Sequence, residues 1–295
     1  MSGIARNTRR ALGRLSAGSS PLIGRNVLVE MDRWELEERA RALAAPVYVG
    51  DRVILCRVMG RYKFYVRSDD VGFGAHVALD GLWESWLTVF MARRIKPGMR
   101  VVDVGANHGY YTVLFADLAG PDGRVLAVEP NPRLTELLSR SLAVNGFSGW
   151  SDVAQIAAGD GDARRVMLYA PAGEPKNAHI VETDKGESEE RFSVSCERLD
   201  DRLSAWDRVD FIKIDVEGAE EAAIRGLMTT LRRHRPNLLL EFNPGRCVDP
   251  AALLDALESI YGEIRVVGFD SEATPVGRGD LLNRDNAEDR ILYLA

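Results

Sequence analysis

The stretch Val101-Val-Asp-Val-Gly-Ala-Asn-His-Gly-Tyr-Tyr-Thr112 decides the fold. Val101 to Val104 form a short β-branched run of the kind found in a central strand of a parallel sheet, interrupted only by Asp103. Gly105 and Gly109 then bracket a turn that opens a helix. Glycine takes backbone conformations closed to other residues and lets a ligand approach without meeting a Cβ. A strand running into such a turn and a helix start presents backbone N–H groups to a nucleotide-type cofactor.

Outward from this unit, strand and helix patterns alternate, which is the signature of a doubly wound parallel sheet. The spacing predicts a helix from about Tyr110 to Ala119, a turn at Pro121-Asp-Gly123, a strand from Arg124 to Val128 and a helix from Pro132 to Asn145. A third strand is expected at Val153 to Ala157. Arg165 to Tyr169 and Phe192 to Ser195 read as short strands flanking a polar loop, residues 170–191. Further strands are expected at Phe211 to Ile214 and Asn237 to Phe242, with helices at Ala219 to Arg232 and Pro250 to Tyr261. Ile264 to Phe269 and Ile291 to Leu294 close a sheet of seven strands. Upstream, a helix from Trp34 to Ala44 and a β-ribbon, Val47 to Val58 and Tyr62 to Val66 with Gly60 at its turn, form an N-terminal extension. Residues 1–80 are thus expected to be an arm, helix and ribbon, and residues 81–295 a Rossmann-like domain of α/β class. The latter begins with a helix from Glu84 to Arg94 that ends before Lys96-Pro-Gly98.

A chain of 295 residues with 46% hydrophobic side chains can bury one large α/β core. Its net charge of −6 argues against nucleic acid as the main partner, because phosphate binding normally shows as a basic domain. Cys56, Cys196 and Cys247 are far apart and lie in no zinc or disulfide pattern, so they read as reduced thiols of a cytoplasmic protein. No apolar run approaches the roughly 18 residues of a membrane helix, and no signal-peptide apolar region is evident. Arg6, Arg9, Arg10, Arg14 and Arg25 precede the first acidic residue, Glu30, and Ile4, Ala11, Leu12 and Leu15 fall near one helical face. Such an arm can touch the inner face of a membrane peripherally, although an arm that caps the domain is the simpler reading. Trp83, Trp86 and Phe90 leave room for an oligomer contact.

The Gly105-x-x-x-Gly109 spacing departs from the G-x-G-x-x-G of dinucleotide enzymes. A D-x-G-x-x-x-G loop after the first strand instead resembles the S-adenosylmethionine site of Rossmann-like methyltransferases. Open parallel sheets bind ligands at the carboxyl ends of their strands. There Gly105, Ala106, Asn107 and Gly109 are placed to receive the methionine portion, with Asp103, Tyr110 and Thr112 in the same stretch as further candidate contacts. Glu129-Pro130 ends the second strand, where a carboxylate can accept both ribose hydroxyls. Ala158 and Asp160 follow the third, with room for a flat adenine and an acceptor for its amino group. Glu129 can equally be a charge at a helix start, and Gly159-Asp-Gly161 an ordinary turn.

Trp83-Glu84, the Val101–Thr112 stretch, Glu129-Pro130, Leu199-Asp200-Asp201 and Phe211-Ile-Lys-Ile-Asp-Val-Glu-Gly-Ala-Glu220 together resemble the FkbM-type methyltransferases over roughly residues 82–240. The resemblance implies S-adenosylmethionine-dependent O-methylation of a sugar, in a glycan or glycolipid, or of a small natural product. It also implies that Glu84 folds back over the cofactor. An alcohol acceptor must lose its proton, for which Asp215, His179 and His108 are candidates. Lys213, two residues before Asp215 in a strand, shares its face and can pair with it; a lysine–carboxylate strut that braces the sheet is the plainer alternative. Asp215, Glu241 and Asn243 can offer oxygen ligands to Mg2+ beside the cofactor. The competing readings are a methyltransferase for RNA or protein, a nicotinamide oxidoreductase, which the glycine spacing disfavours, and a catalytically silent binding module.

Overall fold

The run Val101 to Val104 is buried on both faces, as a central strand of a parallel sheet must be. Val101 packs into one apolar layer, and Val102 and Val104 into the other. The computed structural model describes residues 22–171, 173–174, 178–181, 190–283 and 288–295. The basic arm at residues 1–20, and Lys176 and Asn177 of the polar loop, lie outside the described residues.

In chain order, α1 (Arg25–Glu30) and α2 (Arg33–Leu43) precede a three-stranded antiparallel ribbon of β1 (Val47–Gly50), β2 (Val53–Val58) and β3 (Tyr62–Arg67). Next come α3 (Phe73–Asp80), α4 (Ser85–Arg94), β4 (Arg100–Val104), α5 (Tyr110–Ala119), β5 (Arg124–Val128), α6 (Pro132–Val144) and β6 (Ser151–Ala154). A smaller sheet follows, made of β7 (Ala157–Ala158), β8 (Arg165–Tyr169), β9 (His179–Val181) and β10 (Arg191–Glu197). The chain continues through α7 (Leu199–Leu203), β11 (Phe211–Ile214), α8 (Glu220–Arg225), α9 (Met228–His234), β12 (Asn237–Phe242) and α10 (Pro250–Tyr261). It closes with β13 (Arg265–Val267), β14 (Ala273–Pro275), α11 (Arg278–Leu281) and β15 (Arg290–Leu294).

The main sheet runs β14-β13-β15-β12-β11-β4-β5-β6. From β6 to β12 all neighbours are parallel, and β15 lies antiparallel to β12. This is a Rossmann-like, doubly wound α/β sheet. It has eight strands rather than seven because Ala273–Pro275 pairs with β13. The third strand ends at Ala154, and Ala157 and Ala158 turn away to pair in parallel with β10. Gly159 permits that close pass, since a Cβ there would stand 2.4 Å from Cys196 Sγ. The strands at Arg165–Tyr169 and Arg191–Glu197 pair with each other instead of joining the main sheet.

Two helical elements also differ from the sequence pattern. The expected helix from Ala219 to Arg232 is split into α8 and α9 at Gly226, where a Cβ would lie 1.9 Å from the carbonyl oxygen of Gly159. Backbone packed this closely on backbone excludes any side chain. Helix α3 is not announced by apolar spacing, and its burial of Phe73 and Val77 comes from packing against the ribbon.

The apolar layer on one face of the sheet, around Phe90, Val113 and Leu138, continues into the extension through Ile23, Leu28, Phe64 and Val77. Strand β3 is an edge of its ribbon, and unpaired edge N–H groups need partners. Three successive outward N–H groups have them: Lys63 donates to Asn145 Oδ1 (3.1 Å), Tyr65 to Ser141 Oγ (3.0 Å) and Arg67 to His108 Nε2 (3.5 Å). The ribbon is thereby tied to α6 and to the turn after β4. Among the described residues, no helix is long and apolar enough to cross a membrane.

Candidate active site

The carboxyl ends of β4, β5 and β11 open into a cleft of about 350 Å³, the position at which open α/β sheets bind ligands. The turn after β4 forms its floor. Gly105 has φ +77°, and a Cβ there would stand 1.7 Å from the carbonyl oxygen of Asp215. Gly109 has φ +90°, and its Cβ would meet Leu138 Cγ at 2.6 Å. Both glycines therefore answer to packing against the rest of the protein, Gly105 against the exit of β11 and Gly109 against α6. Gly109 does not reach the cleft wall, whereas Gly105, Ala106, Asn107 and Tyr110 do.

Glu129 joins this floor to the next strand. The N–H of Asn107 donates to Glu129 Oε2 (2.8 Å), and that of Asn131 to Oε1 (2.9 Å). Asn131 then caps α6 by accepting from the N–H of Arg133 (3.0 Å), with Pro132 in the first turn. Burial pushes the Glu129 carboxyl up to about 7, against the opposing effect of those two N–H donors. Each oxygen of an ionised carboxylate accepts about two hydrogen bonds, so both keep capacity toward the cleft. Pro130, Leu134, Ile156, Ala157 and Ala158 add an apolar shelf beside it.

The third wall is electrostatic. Lys213 and Asp103 are direct neighbours in the β11–β4 register, and alternation places both on one face. Lys213 Nζ lies 3.1 Å from Asp215 Oδ2 and 3.9 Å from Asp103 Oδ1, and donates to the carbonyl of Gly105 (3.4 Å). Burial lowers the lysine's proton affinity, but Asp215 and Asp103 outweigh it and hold the ammonium above its ordinary range. Asp103 is fully buried, which raises its carboxyl, and Thr112 donates to its Oδ2 at 2.6 Å. Asp103 and Thr112 thus stand behind the wall and orient Lys213, while Lys213 and Asp215 line the cleft.

Above the floor, Glu84 has a left-handed backbone (φ +38°) just before α4 and accepts from Tyr111 Oη at 2.6 Å. Its carboxylate lines the cleft together with Trp83. His179 and Ile180, on β9 of the small sheet, reach the same cavity from the other side. His179 also meets the Tyr169 ring edge-on at 5.6 Å.

Other expected residues are placed elsewhere. Asp160 is turned away from the cleft into an ion pair with Arg225 (2.8 Å), which holds its carboxyl below the usual range. His108 is fully buried and stacks on Phe73 at 5.1 Å. Its Nδ1 meets Asn107 Oδ1 at 2.7 Å and its Nε2 accepts from Arg67, an arrangement that needs neutral imidazole; burial holds its pKa down to about 3. It brackets ribbon and turn, with Asp70 Oδ2 3.9 Å from Nε2, and does not line the cleft. Asn243 donates to Asp289 Oδ1 and accepts from the N–H of Gly245, both at 2.8 Å. Asp215 faces Lys213, and Glu241 faces Arg246 Nη1 (3.5 Å). With both carboxylates facing cationic side chains and the amide engaged, Asp215, Glu241 and Asn243 do not fit a Mg2+ ion. Among the described residues no other group of three or more His, Cys, Asp or Glu could hold a metal.

The wall also includes Phe73, Trp83, Tyr111, Glu217 and Asp289, of which Trp83, Tyr111 and Glu217 fall in stretches that the sequence marks without giving these residues a role in the site. Tyr111 lies within the stretch that decides the fold, and that position is the signal the sequence carries for it. Phe73 and Asp289 carried none, because tertiary packing alone brings them here.

The family model described as Methyltransferase FkbM domain matches residues 103–265. The chain is 44% identical over 76 residues to a protein-L-isoaspartate O-methyltransferase of Aeropyrum pernix, covering 26% of this chain and 28% of that one. It is 28% identical over 156 residues to methyltransferase sdnD of Sordaria araneosa, covering 43% and 60% of the two chains. The chain therefore spans less than two thirds of either relative. A solved structure of methyltransferase FkbM from Methylobacillus flagellatus aligns with a TM-score of 0.43 at 17% identity, over 72% of this chain and 53% of that chain.

Proposed function

Because the chain belongs to the FkbM methyltransferase domain family, matched over residues 103–265, we propose that it uses S-adenosylmethionine to methylate a hydroxyl of a sugar or small natural product. The observation that carries this reading is the tie between Asn107 and Glu129, which sets a glycine-bearing turn beside a buried carboxylate at the mouths of two adjacent parallel strands. Glu129 has an acceptor oxygen for each of two vicinal ribose hydroxyls. Pro130, Leu134, Ile156, Ala157 and Ala158 offer an apolar shelf for adenine. Trp83 and Glu84 close over the cavity from the start of α4.

When bound, the cofactor supplies a methyl group on a positively charged sulfur, open to in-line attack by an oxygen. Holding the reactants in line can contribute roughly 7–11 kcal/mol in favourable cases. Asp215 faces the cleft and is the group assigned to hold the proton released by the acceptor hydroxyl. Lys213 pairs with that carboxylate beside it and is itself oriented by Asp103. His179 faces the same cavity from β9 and is the second candidate for the proton. Asp215, Glu217, Glu241 and Asp289 line one side, a set of acceptors suited to a polyhydroxyl molecule.

Comparative mass spectrometry of surface glycans and small metabolites, from cells with and without the protein, tests the acceptor class. The reading expects one glycan or metabolite to lose a methyl group. Loss of methyl groups from protein or RNA alone would overturn the hydroxyl acceptor. Association of the full chain with anionic liposomes, compared with a chain lacking residues 1–20, tests the peripheral membrane contact proposed for the basic arm.

A further inference from the structure

Glu217, Glu241 and Asp289 belong to three separate parts of the chain: the loop after β11, the end of β12 and the approach to β15. They meet at Arg246. Its Nη1 lies 3.0 Å from Glu217 Oε2 and 3.5 Å from Glu241 Oε2, and its Nη2 donates to Asp289 Oδ1. Glu217, Glu241 and Asp289 line the cleft, and Arg246 does not. Glu217 is held there in a left-handed backbone conformation (φ +50°), a strain that persists only where surrounding contacts impose it.

A divalent cation takes carboxylate oxygens gathered from several elements as its ligands, but among the described residues no group of three or more acidic side chains is arranged to hold one. Here the centre is a guanidinium, whose planar fork can serve several oxygens at once. The turn that carries it is fixed in turn: the N–H of Arg246 donates to the carbonyl of Asn243 at 3.0 Å, and the Asn243 side chain donates to Asp289. Without a cation the three carboxylates would repel one another. Burial, with Asp215 and Glu217 close by, already pushes the Glu241 carboxyl well above its usual range.

We propose that Arg246 is a positioning residue that takes the place of a divalent cation, gathering Glu217, Glu241 and Asp289 into the acceptor side of the cleft. Methyl transfer by this chain then needs no divalent metal. The proposal rests on the methyltransferase reading only in taking this wall to face the acceptor.

The test is titration of the purified full chain with Mn2+, followed by the electron paramagnetic resonance signal of the free ion and by the melting temperature. Wild type is expected to take up no Mn2+ up to about 1 mM, the weak limit of biological cation sites. Arg246→Met is expected to take up one ion per chain and to regain melting temperature as Mn2+ is added. Arg246→Lys, which keeps the charge, is expected to take up none. Stoichiometric uptake by wild type that is lost in Glu241→Gln would overturn the proposal, as would a folded Arg246→Met protein that binds no ion. Should Arg246→Met not fold, the wild-type and lysine arms still decide, because uptake by either contradicts it. S-adenosylhomocysteine titrated into the same samples reads the cofactor cleft separately, so failure of the methyltransferase reading is distinguishable.

Discussion

A Cβ on Gly105 would stand 1.7 Å from the carbonyl oxygen of Asp215. The turn after β4 and the loop after β11 are thus packed backbone to backbone, and Gly105 also has φ +77°. Gly105→Ala is expected to destabilise the protein by about 3 kcal/mol or more, the left-handed strain and the overlap acting together. Urea denaturation checks this; wild-type stability in the variant would show that the two loops can separate freely.

Lys213 is the ammonium that faces both Asp103 and Asp215. Removing one partner from a buried ionic group leaves uncompensated charge, which typically costs about 3–5 kcal/mol. Lys213→Met should lose stability in that range, and Asp103→Asn added to it should restore part of the loss. Asp103 Oδ1 has no hydrogen-bond partner of its own, so the lysine is its main compensation. A fully additive double variant would contradict the pairing.

His108 makes stability depend on pH in a defined direction. Its pKa falls from 6.5 to about 3 on folding, so between those values the unfolded chain binds a proton that the folded chain does not. Stability from this group is complete above pH 6.5 and declines as pH falls, by up to about 1.4 kcal/mol per pH unit. The stability difference between wild type and His108→Gln should therefore shrink by about 2 kcal/mol between pH 6.5 and pH 5. A difference independent of pH would show that the imidazole is not held neutral.

Glu129 sets the pH dependence of cofactor affinity. Its carboxyl is pushed up to about 7, and two hydroxyl donors are best received by the ionised form. Affinity for S-adenosylhomocysteine should rise as pH increases through 7, by about tenfold between pH 6 and pH 8. Glu129→Gln should abolish this slope. Equal slopes in the two proteins would assign the titration to another group.

The sheet was legible because β-branched runs and helix spacing are local properties, as Val101–Val104 and Phe211–Ile214 illustrate. The Lys213–Asp215 pair followed from strand alternation alone. Its third member did not, because the facing of Lys213 and Asp103 depends on inter-strand register across 110 residues. The partner of Asp160 is hidden for a similar reason: Arg225, which pairs with it, lies 65 residues away. The roles of Gly105 and Gly109 could not be read either, since the atoms that exclude their side chains belong to Asp215 and Leu138. His108 sits in the most informative stretch of the chain, yet its orientation is set by Arg67 and Phe73 of the extension.

Calorimetric titration with S-adenosylhomocysteine tests the central claim most directly, with wild type and Glu129→Ala compared and NAD as a control. One binding site per chain is expected in wild type and no heat with NAD. Each hydrogen bond to a charged group is worth about 1.5–3 kcal/mol, so with two lost, affinity in the folded variant should fall by at least the roughly 10- to 150-fold of one. Absence of binding in wild type, or unchanged affinity in the variant, would contradict a cofactor held by Glu129 at the mouths of β4 and β5.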